Sequence, residues 1–98
     1  MNPQHHQSMR MLFMEHNLYT LEQLKKIYKL HKDQFRFLAI PARPKRYDKW
    51  CIGFNCPVSS GMLANQDDDQ IRFNSLDLLM KYLNLNFKVD MFTVIIDV

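Results

Sequence analysis

Glycine is scarce in this chain, with only Gly53 and Gly61 among 98 residues. A loop that cradles phosphate needs several glycines in close spacing, so the mononucleotide and dinucleotide fingerprints are excluded. With only four prolines as well, the chain does not have the composition of a loop-rich or unstructured polypeptide. Cysteine is limited to Cys51 and Cys56, five apart in one strand-like run. Successive strand positions face opposite sides, so the two cannot bridge without breaking the strand. Nor is the spacing that of the tight pairs in a structural zinc site. Both read as small core hydrophobes. No apolar run reaches the roughly 18 residues of a membrane span. The longest, residues 92–98, has the length of a strand. The polar opening, residues 1–7, carries no signal-peptide core, and residues 11–14 are too short to supply one. The expectation is a cytoplasmic protein without membrane contact.

What is present fits one globular domain. An apolar fraction of 47% and a charged fraction of 23% are ordinary. Two independent cores in a chain of this length would each be too small to stand alone. Residues 1–8 are expected to fray, and residues 9–98 to form a single α+β domain. The pair His5–His6 is too small a ligand set for a metal on a free end.

Hydrophobic periodicity assigns the elements. Met9, Leu12, Phe13 and His16 recur at helical spacing, which predicts a short helix over residues 8–16. Residues 20–32 carry the clearest helical signature. Thr20 and Gln23 make a capping box, and Glu22 sits where the helix dipole favours an anion. Leu21, Leu24, Tyr28 and His31 form the inward stripe, with Ile27 beside it. Leu18 is placed to staple onto Leu24. Strands follow over residues 35–41 and 49–56, with Phe35, Phe37 and Ala39 on one face of the first. Trp50, Ile52, Phe54 and Cys56 share a face of the second. Pro41 and Pro44 predict a long hairpin loop over residues 42–48. After a turn at 57–61, a short hairpin joins residues 62–64 to 70–74 around Asn65-Gln-Asp-Asp-Asp69. Ser75 caps a helix to about Leu83 whose inner face is Leu76, Leu79, Met80 and Leu83. Residues 87–98 read as one bulged strand or two short ones. The predicted architecture is a mostly antiparallel sheet of four to five strands with two or three helices on one face.

Several of these pieces share a pattern. They are Trp50-Cys-Ile-Gly-Phe54, Met62-Leu-Ala64, Arg72-Phe-Asn-Ser-Leu-Asp77, Tyr82-Leu83 and Phe87-Lys-Val-Asp90. Together they resemble small accessory proteins of plasmids and other mobile elements, over less than half of the chain. That pattern often has a basic residue and glycine in the hairpin turn, where this chain has Asp67, Asp68 and Asp69. The resemblance implies a role in the maintenance, transfer or regulation of a mobile element, and no catalytic signature comes with it.

Charge is segregated although the net is only +3. Residues 25–49 hold nine basic side chains against Asp33 and Asp48, while the remaining segments are net acidic. One basic group is the outer face of the helix at 20–32: Lys25, Lys29 and Lys32, with Lys26 adjacent. The other is the stretch Arg43, Lys45, Arg46, Tyr47 and Lys49. A proline-stiffened basic hairpin can lie along a phosphate backbone, each contact releasing a counterion. Arginine can fork onto phosphate or a guanine edge, and Tyr47 and Trp50 could stack on an unpaired base. The plainer reading of a lysine stripe is a solvated helix face, and of Trp50 a core residue in phase with Ile52 and Phe54. No helix-turn-helix, zinc-finger, RNP or KH signature occurs.

Catalytic patterns are missing from the sequence. Asn65, Asp67 and Asp69 imitate half a calcium loop, but Gln70 stands in place of the required glycine and Leu76 in place of the bidentate glutamate. Ser59-Ser60-Gly61 lacks the nucleophile-elbow frame. A pairing of His31 with Cys51 or Cys56 competes with a structural role for a histidine ending an apolar stripe. The expectation is a non-enzymatic binding protein without cofactor, metal or small-molecule substrate. It would contact nucleic acid through the basic helix face and the 43–46 loop. The alternative is a protein-interaction module, adaptor or inhibitor, in its simplest form a homodimer pairing through the sheet edge at 92–98.

Overall fold

The computed structural model describes residues 17–96. The expected fraying of 1–8, the helix at 8–16 and the last two residues of the terminal strand lie outside them. Strand β1 (Leu18–Tyr19) leads into helix α1 (Leu21–His31), and a 3-10 turn (Lys32–Gln34) hands the chain to β2 (Arg36–Arg43). Then come β3 (Arg46–Cys56), β4 (Ser59–Leu63), β5 (Arg72–Phe73), helix α2 (Leu76–Phe87) and β6 (Thr93–Val94). The sheet order is β1-β4-β3-β2-β6, with β5 also paired to β3. The sheet is mixed and six-stranded, where sequence predicted four to five mostly antiparallel strands. The parallel pairs, β1 with β4 and β2 with β6, are both at the edges.

Local chemistry accounts for the helices. Thr20 Oγ1 accepts the Gln23 N–H and Gln23 Oε1 accepts the Thr20 N–H, the reciprocal capping box the sequence predicts. Ser75 Oγ accepts the Leu78 N–H at the start of α2. Leu79, Leu83 and Phe87 recur every four residues and are buried, so the inward stripe of α2 continues one turn past Leu83. Lys88, with φ of 60°, ends it as a left-handed cap whose N–H donates to the Asn84 carbonyl. This corrects the strand expected from residue 87. Among the described residues of that stretch only Thr93–Val94 is strand.

Both helices bury their stripes on one sheet face. Leu24, Leu79, Leu83 and Phe87 pack there against Phe37, Ala39, Trp50, Ile52, Phe54 and Leu63. Phe35 stacks on Phe54 at 5.1 Å, and the Tyr28 ring meets Phe35, Phe37 and Phe87 within 5.5 Å. Such aromatic pairs contribute beyond their area. On the second face Ile40, Cys51 and Met62 are buried, with Leu18, Leu38, Ala42 and Ile95 packed against them. The expected staple between Leu18 and Leu24 is absent, because Leu18 belongs to a strand and points to this second face.

The loop expected over residues 42–48 is a tight turn. β2 runs through Pro41 to Arg43 and only Pro44 and Lys45 are left between the strands. The Ala39 carbonyl accepts from the Ile95 N–H, so odd residues of β2 aim their backbone groups away from β3. Pro41 therefore lacks its N–H on the outer side, beyond the end of β6, where no ladder bond is lost. Pro44 followed by Lys45 at φ 60° matches a turn with proline second and a left-handed third residue. The hairpin expected around 65–69 is reduced to the single bridge Ala64–Gln70, and β5 pairs with β3 instead.

Candidate nucleic-acid interface

The β2–β3 hairpin gathers one of the two basic groups. Arg43 pairs with Arg46 across the turn, and Arg43, Lys45, Arg46, Tyr47 and Lys49 are all exposed. Lysine in the left-handed region costs roughly 1–2 kcal/mol compared with glycine, so the turn holds a cation where glycine or asparagine would be relaxed. The acidic neighbour, Asp48, lies 3.7 Å from Arg46, with both side chains more than half exposed. Such a surface pair contributes little and leaves the guanidinium free to exchange partners. Lys49 Nζ donates to Asn74 Oδ1 at 3.2 Å.

The pairing of β5 with β3 adds a residue that the sequence reading missed. Arg72 sits opposite Cys51, with Asn74 just past the pair Trp50–Phe73, so Arg72 is a diagonal neighbour of Lys49. It carries the basic strip from the hairpin tip down one side of β3. No local signal in the sequence points to it, because the register between residues 50–51 and 72–73 is a tertiary fact.

The lysines of α1 and of the 3-10 turn after it form a separate group. Leu18 is level with Met62, Met62 with Gly53, and Gly53 with Leu38. Helix α1 thus starts near the middle of β2 and runs back towards Phe35, against which Tyr28 packs. Lys25, Lys29 and Lys32 lie along that path, and Lys32 stands 5.9 Å over the Tyr28 ring. From Arg36 to Arg43 the strand advances about 23 Å in the opposite direction. The structure therefore brings together the five hairpin residues and leaves Lys25 and Lys29 on α1, and Lys32 on the 3-10 turn after it, along a path leading away from them.

The aromatic partners differ as well. Tyr47 is 46% exposed, while Trp50 is only 5% exposed and part of the helix-side core. Their rings lie 5.8 Å apart at 30°, so Trp50 backs Tyr47 and does not itself offer a face to a base. Stacking at this tip falls to Tyr47.

The remaining reactive groups are dispersed. Burial raises the Cys51 thiol above its usual value, with Arg72 partly offsetting the effect. Its Sγ meets Gln70 Oε1 at 3.6 Å. Cys51 faces away from α1, and so cannot pair with His31. Cys56 sits on the helix side, its Sγ 3.7 Å from Ser59 Oγ. Burial also raises the Tyr82 phenol. In the acidic turn Asn65 Oδ1 accepts the N–H groups of Asp67 and Asp69, a local turn that already occupies the central oxygen. Two open depressions, of about 460 and 540 Å³, lie at Lys29–Gln34 and beside Met80, Leu85 and Asp90, away from both thiols. Among the described residues no helix is long and apolar enough to cross a membrane.

Fold and site together define a small α+β domain with a mixed sheet, helices on one face and a basic two-stranded projection. Comparison of the chain with family models, with characterised proteins and with solved structures finds no match.

Proposed function

We propose that this protein is a non-enzymatic nucleic-acid-binding factor whose β2–β3 hairpin tip lies against the phosphate backbone. One observation carries the reading. Four exposed cations cluster at the hairpin tip, Lys45 in the two-residue turn and Arg43, Arg46 and Lys49 on the strands beside it, with an exposed tyrosine among them. A two-stranded ribbon is narrow enough for a groove, and the guanidinium groups suit phosphate or guanine edges. The α1 lysines lie outside this interface. The mobile-element role implied by the sequence resemblance is compatible with such a factor and goes into the same proposal.

Salt dependence tests the idea directly. Fluorescence anisotropy with a duplex oligonucleotide, from 50 to 200 mM salt, should give log K falling with log salt at a slope of about −3 to −4, as for four phosphate contacts. Arg43→Ala/Arg46→Ala should make that slope shallower by about 2. Lys25→Ala/Lys29→Ala/Lys32→Ala should leave it unchanged. Absence of binding at 50 mM salt, or a slope insensitive to the arginine pair, rules the reading out.

A second reading rests on β6. This strand ends the sheet, and the Ile95 N–H is committed to β2, which turns the backbone groups of Val94 and Ile96 outward. Met91 and Ile96 flank it, 74% and 59% exposed. An edge of this kind suits pairing with a second copy, although its shortness limits the ladder. Sedimentation at high micromolar concentration should then show a dimer that Ile96→Glu dissociates. A monomer for both proteins discards it.

A further inference from the structure

The hairpin tip combines its cations with one open aromatic ring. Tyr47 is 46% exposed, and its ring lies 5.8 Å from that of Trp50. Trp50 is fixed in the core and pairs across the sheet with Pro41 and Phe73. The phenol is thus held on one side by an immobile indole and open to solvent elsewhere. Lys45 and Lys49 stand two residues from Tyr47 in either direction, and Arg46 is adjacent. Three cations therefore leave the backbone within about 7 Å of the ring-bearing residue. Arg43 joins them through its pairing with Arg46.

We propose that this tip selects single-stranded nucleic acid, with an unpaired base stacked on Tyr47 and the neighbouring phosphates on Arg43, Lys45, Arg46 and Lys49. The inference rests on the hairpin reading above and names its ligand class. Phosphate contacts alone do not discriminate, because a duplex and a single strand both present them. The ring does. In a duplex the faces of each base are covered by its neighbours, and only edges reach the grooves. A single strand offers faces, and every base has one, so stacking tolerates any sequence. The other side chains at the tip follow the same division. Residues 43–49 contain no asparagine or glutamine, the bidentate readers of adenine. The acid there, Asp48, lies 3.7 Å from Arg46. Apart from the arginines, the tip has little with which to read paired edges. It has instead a ring whose freedom is already restricted by Trp50, so less ordering is lost when a base arrives.

Fluorescence anisotropy on the full chain separates the two ligand classes. The probes are an oligothymidylate of about 12 nucleotides, which cannot pair with itself, and a duplex of equal length. At about 200 mM salt, where counterion release has weakened, the single strand should bind at least about fivefold more tightly than the duplex. Tyr47→Ala should lose at least about fivefold for the strand and change duplex binding by less than about twofold. Its salt slope for the strand should stay as in the parent, since stacking releases no counterion. Tyr47→Phe keeps the ring and should bind the strand within about twofold of the parent. If Tyr47→Ala melts early by circular dichroism, Tyr47→Leu, which covers Trp50 without a π-face, is judged by the same criterion. A duplex bound as tightly as the strand, with its arginine-dependent salt slope intact, overturns the inference and leaves the hairpin reading standing. Equal losses for strand and duplex without the ring also overturn it, because the ring then only shapes the hairpin. So does a loss in Tyr47→Phe as large as in Tyr47→Ala, which would assign the effect to the hydroxyl. Failure of both probes to bind at about 50 mM salt removes the hairpin reading itself, and this inference with it.

Discussion

Phe54→Ala should lower stability by about 3–5 kcal/mol, as for other buried phenylalanines truncated to alanine. Phe54 is the largest of the fully buried side chains, at 1% exposure. Its ring is stacked flat on Phe35 at 5.1 Å and meets Tyr19 edge-on at 5.2 Å. Removing it therefore opens a cavity between β1, the start of β2 and α1, and also dissolves two aromatic pairs. A domain of this size holds about 5–15 kcal/mol in all. The variant should melt tens of degrees lower or fail to fold at 37 °C (about 4–8 °C per kcal/mol). Urea titration followed by circular dichroism measures it. Phe54→Leu, which keeps most of the volume, should retain the fold. A loss under about 1 kcal/mol for the alanine variant would mean that the ring is not at the centre of the core.

Gly61→Ala should be nearly as damaging, and far more so than Gly53→Ala. Neither glycine has positive φ, so the requirement is space. A Cβ at Gly61 would stand 2.5 Å from the Asn17 carbonyl oxygen and 2.5 Å from the Tyr19 ring. That carbonyl is held by the Met62 N–H, and the Tyr19 carbonyl by the Ala64 N–H at 2.9 Å. The methyl group can be admitted only if β1 leaves the sheet, with loss of both hydrogen bonds and of the Tyr19–Phe54 contact. The expected cost is about 2–4 kcal/mol. At Gly53 the nearest atom is Ile40 Cδ1 at 2.7 Å, the free end of a flexible side chain. A rotamer change there should cost about 1 kcal/mol. Chemical denaturation of both variants tests the contrast. Equal losses at the two positions would show that β1 is not anchored as described.

The helices were legible because their signals are local. The box of Thr20 and Gln23, the cap at Ser75 and the stripes of Leu24 and Leu79–Leu83 all act within a turn or two of chain. So do the alternating faces of β2 and β3, where Phe37 and Ala39 oppose Leu38 and Ile40 as the sequence predicts. Phe87 shows where local pattern stops. It satisfies the period of a helix through Leu79 and Leu83, and the period of a strand through Val89. The contacts with Phe37 at 4.8 Å and Tyr28 at 5.4 Å hold it in α2. Pro41 misled in the opposite way. A proline is barred from a strand only where its missing N–H faces a partner, and the direction of that group depends on where β6 lies.

By itself the sequence determined the α+β class, the two capped helices, the inward faces of β2 and β3 and the concentration of positive charge between residues 25 and 49. These follow from side-chain periodicity, capping chemistry and charge count, which need no knowledge of distant neighbours. Tertiary structure alone decided the edge pairings β1–β4 and β2–β6, the placement of Arg72 beside Lys49 and the separation of the α1 lysines from the hairpin. Each depends on strand register, set by burial across the whole sheet, and a segment of two residues carries too little pattern to fix its own partner.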